Sequence, residues 1–451
     1  MSGVSSYYDK PTRHILGKLE IFFDGYENEP IIIDMSNYLI DYQVVEEASA
    51  EDKNPLGAIS ANELTFTLTN FNSIFSPSNV NGPYYGKIKT GVMVKPYIKP
   101  GDDAIVAWTP LGVYFVSDWN SKMGSATAFV TCYDVMQELL LSPMPDLDVK
   151  LNVTFTSYIK YVLSMYGFAN AEVDETLSAL LPYGFVAYNE TPDILQAIVE
   201  ASMSVLMTTR LGSLAVKKLR RGTPVATFTD SNQLISVDVE QSIIKTYNGV
   251  KLTYTIPQLS EDREVLVVDT LGIPTGKVTH NLIKYSKPVF SISAVTLSGT
   301  VPSVIEKYTS TNFGITLVTR LDAEESTSSK LSVTGKNIDL VEQELNDGLT
   351  NMLKVYNPYI QISEYADSYK ASLTNFVNAD IPVLELTVRG NPDIIIGDTV
   401  EVHSNKYKID FVGIVKRTVL KYSGNLTCNM TLLNAEVIVE WTLCLMCYRQ
   451  M

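Results

Sequence analysis

From residue 63 the chain reads Glu-Leu-Thr-Phe-Thr-Leu-Thr-Asn. In an extended chain successive side chains point to opposite faces. Leu64, Phe66 and Leu68 therefore share one face, and Thr65, Thr67 and Thr69 share the other. One apolar face and one polar face is the pattern of a half-buried strand in an antiparallel sheet. Asn70-Phe71-Asn72 and the Ser76-Pro77-Ser78-Asn79 cluster turn the chain into a loop. Further strands are expected at 91–98, 112–119 and 128–133. This two-residue period is the commonest along the sequence, and it commits the chain to a mainly β fold.

A helical period enters between residues 152 and 207. Thr191-Pro192-Asp193 places a capping hydroxyl, a proline suited to the first helical position and an acid in the first turn. Ile194, Leu195, Ile198, Val199 and Leu206 follow as an apolar stripe. A shorter helix is expected over 157–166, stopped by Gly167. After Arg220-Arg221-Gly222 the pattern returns to strands, at 234–241 and, past the Asn248-Gly249 turn, at 249–256. Leu340, Val341, Leu345, Leu349, Met352 and Leu353 suggest one long helix, with Glu342, Glu344, Asn346 and Asp347 on its wet face. The end of the chain is again β. Residues 383–388 suit a strand covered on both faces. Leu426, Cys428, Met430 and Leu432 alternate with Thr427, Asn429 and Thr431. No sequence repeat of fixed period is found.

With 451 residues, 45% of them hydrophobic and 19% charged, the chain has the composition of a folded protein of several domains. No apolar run approaches the roughly 20 residues of a membrane helix. The first residues, Met1 to Tyr8, lack the basic and apolar segments of a signal peptide, so synthesis and folding in a cytosol are expected. A net charge of −15 disfavours stable nucleic-acid binding, while passage of DNA through an acidic bore remains compatible with it. Four cysteines make no disulfide framework, and three histidines offer little general-base or metal chemistry.

Motifs for catalysis fail in turn. His14, His280 and His403 are followed by Ile, Asn and Ser, so no H-E-x-x-H exists. His403 reads as a solvent-facing strand residue, and His280 has no sequence-local partner. Gly272-Ile273-Pro274-Thr275-Gly276-Lys277-Val278 is one residue short of a phosphate loop and ends in Val278 instead of a hydroxyl, so it reads as a turn. Cys444 and Cys447 form a lone C-x-x-C without the second pair a zinc ribbon needs. Cys132 and Cys428 read as small core residues. The acidic pairs Glu46-Glu47, Asp102-Asp103 and Glu324-Glu325 read as solvated loop charge rather than facing carboxylates. No catalytic, cofactor or metal residue is assigned, and assembly is favoured over catalysis.

Two groups of segments carry a resemblance. The first runs from Asn62-Glu63-Leu64-Thr65-Phe66-Thr67-Leu68-Thr69-Asn70 through Phe75-Ser76-Pro77-Ser78-Asn79, Gly82-Pro83-Tyr84-Tyr85-Gly86 and Gly91-Val92-Met93-Val94. It ends in Pro110-Leu111-Gly112-Val113-Tyr114-Phe115-Val116-Ser117-Asp118-Trp119 and Thr131-Cys132-Tyr133-Asp134-Val135-Met136. The second is Leu384-Glu385-Leu386-Thr387-Val388-Arg389-Gly390-Asn391-Pro392-Asp393 with Ile396-Gly397-Asp398-Thr399-Val400-Glu401-Val402. In order and separation they resemble the tail and baseplate hub proteins of tailed phages and phage-tail-like particles. About half of the chain is covered.

The resemblance implies a mainly β chain with α+β insertion modules and two tube-like antiparallel β-barrel domains. It implies an N-terminal arm (1–14), a first barrel (15–140), a small α+β module with two helices (141–233) and strands joining the second barrel (234–258). A β-rich insertion domain with one long helix (259–380), the second barrel (381–437) and an apolar C-terminal tail (438–451) complete it. The implied role is a structural virion protein without enzymatic activity or cofactor, a homotrimeric hub at the tail tip, made and assembled in the host cytoplasm. Its partners would be a tail tube or distal tail protein, a central spike or fibre protein and the tape-measure protein. DNA would only pass through, and no membrane insertion is implied. Tyr84, Tyr85 and Trp119 stand as candidate structural anchors, with partner-binding residues unassigned. A hexameric distal tail adaptor, a tail-associated cell-wall hydrolase and a carbohydrate-binding receptor module stay open as alternatives.

Overall fold

The computed structural model describes residues 8, 13–48, 56–59, 61–101, 106–145, 147–185, 191–239, 247–299 and 303–437. Strands dominate, as the alternation requires. The largest sheet has 14 strands. One half of it runs, neighbour to neighbour, through Leu39–Glu47, Glu63–Thr69, Thr127–Tyr133, Tyr114–Asn120, Met93–Pro100, Ile15–Phe22 and Ile31–Asp34, with Thr109–Pro110 beside Met93–Pro100. The other half runs through Leu234–Val239, Val383–Val388, Leu426–Asn434, Ile409–Tyr422, Thr399–Ser404 and Ala226–Thr229. The last pairing is parallel, and the rest are antiparallel. The halves join where Ile409–Tyr422 continues beyond its own unit and lies antiparallel to Leu39–Glu47.

In the first half the alternation is satisfied by burial. Leu64, Phe66 and Leu68 are fully buried, while the threonines between them are half-buried. Tyr42, Tyr114, Phe228, Leu386, Val402 and Leu432 belong to the same apolar core, which extends through both halves. Burying such a side chain contributes roughly 1.5–3 kcal/mol, so this core is the main term holding the two units closed.

A second core gathers four helices. Val135–Leu141 starts at Asp134, whose Oδ1 accepts from Met136 N at 3.0 Å. Phe155–Met165 starts at Thr154, whose hydroxyl accepts from Ser157 N at 3.2 Å. It ends before Gly167, at φ +92°, in the left-handed conformation a C-terminal stop needs. Thr191–Ala201 is the helix that Thr191-Pro192-Asp193 foretold. Its stripe ends at Ala201, however, and Leu206 lies in the strand Ser204–Thr208. The helix Val135–Leu141 was not foreseen.

The helix expected at 340–353 is absent. Those residues close the 20-residue strand Thr327–Asn346 and open Met352–Asn357. Both pair with Gly249–Leu259, Thr327–Asn346 in antiparallel and Met352–Asn357 in parallel register. The spacing of Leu340, Val341 and Leu345 fits a helix, but a continuous ladder from Ile338 to Asn346 satisfies those backbone groups instead. The helix of this region is Ser363–Asn378, which buries Tyr365, Ala366, Tyr369, Leu373, Phe376 and Val377 along one stripe. Gly249–Leu259 therefore stands outside the 14-stranded sheet it was expected to join, whereas Leu234–Val239 is in it. Beyond these, Arg263–Ile273 and Val289–Gly299 flank Thr327–Asn346. Gly276–Lys284, Gly314–Leu321 and Val304–Ser310 make a separate three-stranded sheet over a small third core.

Candidate assembly interface

The joint between the β units is built from both ends. At one end the rings of Tyr42 and Tyr422 lie 5.1 Å apart. Tyr42 Oη donates to Tyr97 O at 3.0 Å, and Tyr422 Oη donates to Ile15 O at 3.3 Å. At the other end Glu46, only 5% exposed, faces Arg210 from the turn after Ser204–Thr208. Arg210 Nε and Nη2 each donate to its carboxylate at 2.8 Å. Nη2 also donates to Ile394 O at 3.2 Å, and Thr418 Oγ1 donates to Glu46 Oε2 at 3.1 Å. Burial works against the guanidinium charge, but the Glu46 carboxylate outweighs it and holds Arg210 above its usual range. Glu46 is thus not solvated loop charge, as expected from its neighbour Glu47, but the point where three parts of the chain are pinned together.

The two units repeat one another in detail. In the turn before Leu39–Glu47, Asn37 Oδ1 accepts from Asp34 N at 2.9 Å and from Tyr38 N at 2.5 Å, and Nδ2 donates to Ile32 O at 3.1 Å. Before Leu234–Val239, Asn232 Oδ1 accepts from Thr229 N at 2.7 Å and Gln233 N at 2.5 Å, and Nδ2 donates to Thr227 O at 2.8 Å. Each following strand carries a bulge at the same place, Leu39/Asp41 and Leu234/Ser236. Gly91 N donates to Val116 O as Gly397 N donates to Val415 O, at 2.8 and 2.9 Å, with φ at +81° and +84°. Bulges then follow at Val116/Asp118 and at Val415/Arg417. Asp134 and Asn434 close the units alike, each accepting from the backbone N two residues on.

No protein-family model and no curated protein matches the sequence. Among solved structures, the 43 kDa tail protein of prophage MuSo2 from Shewanella oneidensis superposes with a TM-score of 0.52 at 13% identity. The match covers 94% of this chain and all of that one. The chain has the fold of a prophage tail protein. A tail protein from Neisseria meningitidis MC58 gives a TM-score of 0.55 at 10% identity, covering 94% of this chain and 98% of the other.

Within this tail-protein fold the repeat leaves two strand edges uncovered among the described residues. In the first unit, Leu39–Glu47 is covered by the second unit's Ile409–Tyr422. Its counterpart Leu234–Val239 pairs only with Val383–Val388 and ends the sheet. Its Ile235 is 48% exposed. The counterpart of the covering segment is the end of Tyr114–Asn120. That strand pairs with Met93–Pro100 at Tyr114 and Phe115, and Val116 bonds Gly91 and Val92, so among the described residues the edge is open only beyond Val116. Ser117, Asp118 and Asn120 are exposed there, as are Lys122 and Met123 in the turn that follows.

The residues singled out from sequence fall into place around this frame. Tyr84 stacks on Phe23 and Phe75 at 4.8 and 5.3 Å, and Trp119 Nε1 donates to Phe75 O at 2.9 Å. They anchor the loop after Glu63–Thr69, whereas Tyr85 is 54% exposed. His403 is solvent-facing and hydrogen-bonds Asp410 at 2.8 Å, while His280 finds a distant partner in Thr319 Oγ1 at 2.8 Å. Gly272 to Val278 spans the end of one strand, the turn at Pro274 and Thr275 and the start of the next. Cys132 and Cys428 are buried, and burial pushes both thiols up. Asp102, Asp103, Cys444, Cys447 and the 438–451 tail lie outside the described residues. Among the described residues no group of three His, Cys, Asp or Glu could hold a metal ion, and no helix is long and apolar enough to cross a membrane. The resemblance implied two alike β units, but their repeat was not found in the sequence itself, although Ser36-Asn37-Tyr38-Leu39-Ile40 and Ser231-Asn232-Gln233-Leu234-Ile235 share four of five residues.

Proposed function

We propose that the chain is a structural subunit of a phage-type tail, the trimeric hub that links a hexameric tail tube to a threefold spike or fibre. The observation that carries this is the internal repeat: two alike β units in one chain, joined edge to edge. Three chains then present six similar units to a sixfold tube on one side and threefold symmetry on the other. Head-to-tail contacts of this kind close into rings when the rotation permits. The net charge of −15 suits a channel through which DNA passes without adhering. The role is assembly rather than catalysis, with a tube or distal tail protein, a spike protein and the tape-measure protein as partners. Light scattering on the purified chain, with electron-microscope class averages, tests it. A threefold ring with six lobes around a hole supports the hub. A sixfold ring points instead to a distal tail adaptor, and a monomer inert toward tube and spike proteins overturns the assembly role.

A further inference from the structure

We infer that the corner where the helical module meets the first β unit is a proton-operated clasp, closed while Asp134 carries a proton and loosened when it gives the proton up. The chain passes from the strand Thr127–Tyr133 into the helix Val135–Leu141 at Asp134, so this residue sits on the hinge between the two parts. It is only 3% exposed. Asn62, just before Glu63–Thr69, accepts from Asp134 N through its carbonyl at 3.2 Å. Tyr114 opens the strand Tyr114–Asn120, and Thr208 ends the module's strand Ser204–Thr208. With Glu46 and Arg210 they line a corner that has no room for a water molecule.

Charge is shared unevenly there. Arg210 commits both prongs to Glu46. Asp393 and Asp398 of the second unit also feel this guanidinium, although burial pushes both carboxyls up. Lys217 acts on Asp398, Arg417 pairs with Glu47 at 3.4 Å, and Glu138 on Asp134's own helix is exposed. Asp134 is left with hydrogen-bonding groups in place of a countercharge: Met136 N, which donates to Oδ1 at 3.0 Å, Asn62 and Thr208. Its Oδ2 faces Thr208 Oγ1, yet both atoms are buried and neither completes a well-formed hydrogen bond. A hydroxyl donates to a carboxylate and accepts from a carboxylic acid, so Thr208 can serve either form. A buried charge without a counter-ion is costly, whereas a protonated carboxyl is not. A proton taken from solvent therefore lets Asp134 Oδ2 donate to Thr208 across the boundary, and its loss favours opening of the corner toward water. In keeping with this, burial lifts the carboxyl from 3.8 to about 6.

Amide hydrogen exchange on the full chain tests the clasp. For a carboxyl at about 6 when closed and 3.8 when open, protection at Met136 and across Ser204–Thr208, corrected for intrinsic rates, is expected to fall roughly tenfold between pH 5 and pH 7.5. Gly314–Leu321, in the separate third core, is expected to keep its protection. Asp134→Asn retains a capping oxygen and offers Thr208 an N–H at every pH, so its protection should be flat across that range. Asp134→Ser, a second capping residue without a charge, should be flat as well and serves if the first variant does not fold. A tenfold loss that persists in either variant overturns the clasp, and so does a flat profile in the unaltered chain. A loss shared equally by Gly314–Leu321 also overturns it, because the chain is then opening as a whole.

Discussion

Glu46 and Arg210 form a two-pronged ion pair across the boundary between the first β unit and the helical module, both contacts at 2.8 Å. Thr418 of the second unit shares the same carboxylate. Two planar groups in register, both largely out of water, make strong charge-assisted bonds. Their mutual attraction only just offsets the cost of removing them from water.

Removing one partner should therefore be far worse than removing both. Arg210→Met leaves the Glu46 carboxylate buried without its cation and is expected to lower unfolding free energy by about 3–5 kcal/mol. Adding Glu46→Leu should recover most of that loss, because no charge is then left buried and only Thr418 Oγ1 and Ile394 O lose a partner. Denaturant unfolding of the two single variants and the double variant measures the coupling directly.

Asp134 should make stability fall as pH rises. Burial lifts its carboxyl from 3.8 to about 6, against the hydrogen bond it accepts from Met136. The unfolded chain gives up this proton near its ordinary value, and the folded chain holds it until about 6. The resulting stabilisation is complete at low pH and lost as pH rises through that folded value. Asp134→Asn keeps the capping acceptor, as Asn434 does in the second unit. It is expected to gain up to about 3 kcal/mol at pH 8 relative to the unaltered chain, and little at pH 4. Urea midpoints at the two pH values provide the check.

The repeat can also be read by mutation. Gly91 and Gly397 occupy equivalent turns with positive φ, and a Cβ would find open space at the first and only ordinary contact with Lys217 at the second. The cost of alanine at either site is then backbone strain alone, about 1–2 kcal/mol. Gly91→Ala and Gly397→Ala should shift the unfolding midpoint by similar amounts, and their effects should add.

Asn357 joins the insertion to the helical module. It is fully buried, its Nδ2 donates to Ala197 O at 2.8 Å and its Oδ1 accepts from Tyr359 N at 2.9 Å. Asn357→Ala removes two buried hydrogen bonds, so a loss of about 1–3 kcal/mol is expected. Hydrogen exchange should show it at Tyr359 N and across Thr191–Ala201.

Strand positions were the most legible part of the chain, because alternation at Leu64, Phe66 and Leu68 reports burial directly. Capped helices were nearly as clear: Thr191-Pro192-Asp193 carries its own start signal. The helix Ser363–Asn378 was hidden because tyrosine, serine and asparagine supply its sequence, although Tyr365, Tyr369 and Leu373 keep the spacing. Leu340 to Leu353 misled because a helical spacing of apolar residues does not exclude a long, partly wet strand, and only the partner Gly249–Leu259 decides between them. Glu46 could not be read as buried, since its cation comes from position 210. The open strand edges were likewise hidden, because an edge is defined by what does not pair with it.

The insertion also sets a schedule. Leu234–Val239 leaves the ribosome well before its partner Val383–Val388, with the whole insertion between them. At roughly 5–20 residues per second, the second unit waits on the order of ten seconds half-made. The first unit waits longer still, since Glu46 meets Thr418 across 372 positions. During that interval Leu39–Glu47 is an exposed template that any nascent neighbour could occupy. Exchange of second units between two chains growing on one messenger is therefore an outcome that competes with each chain's completing its own.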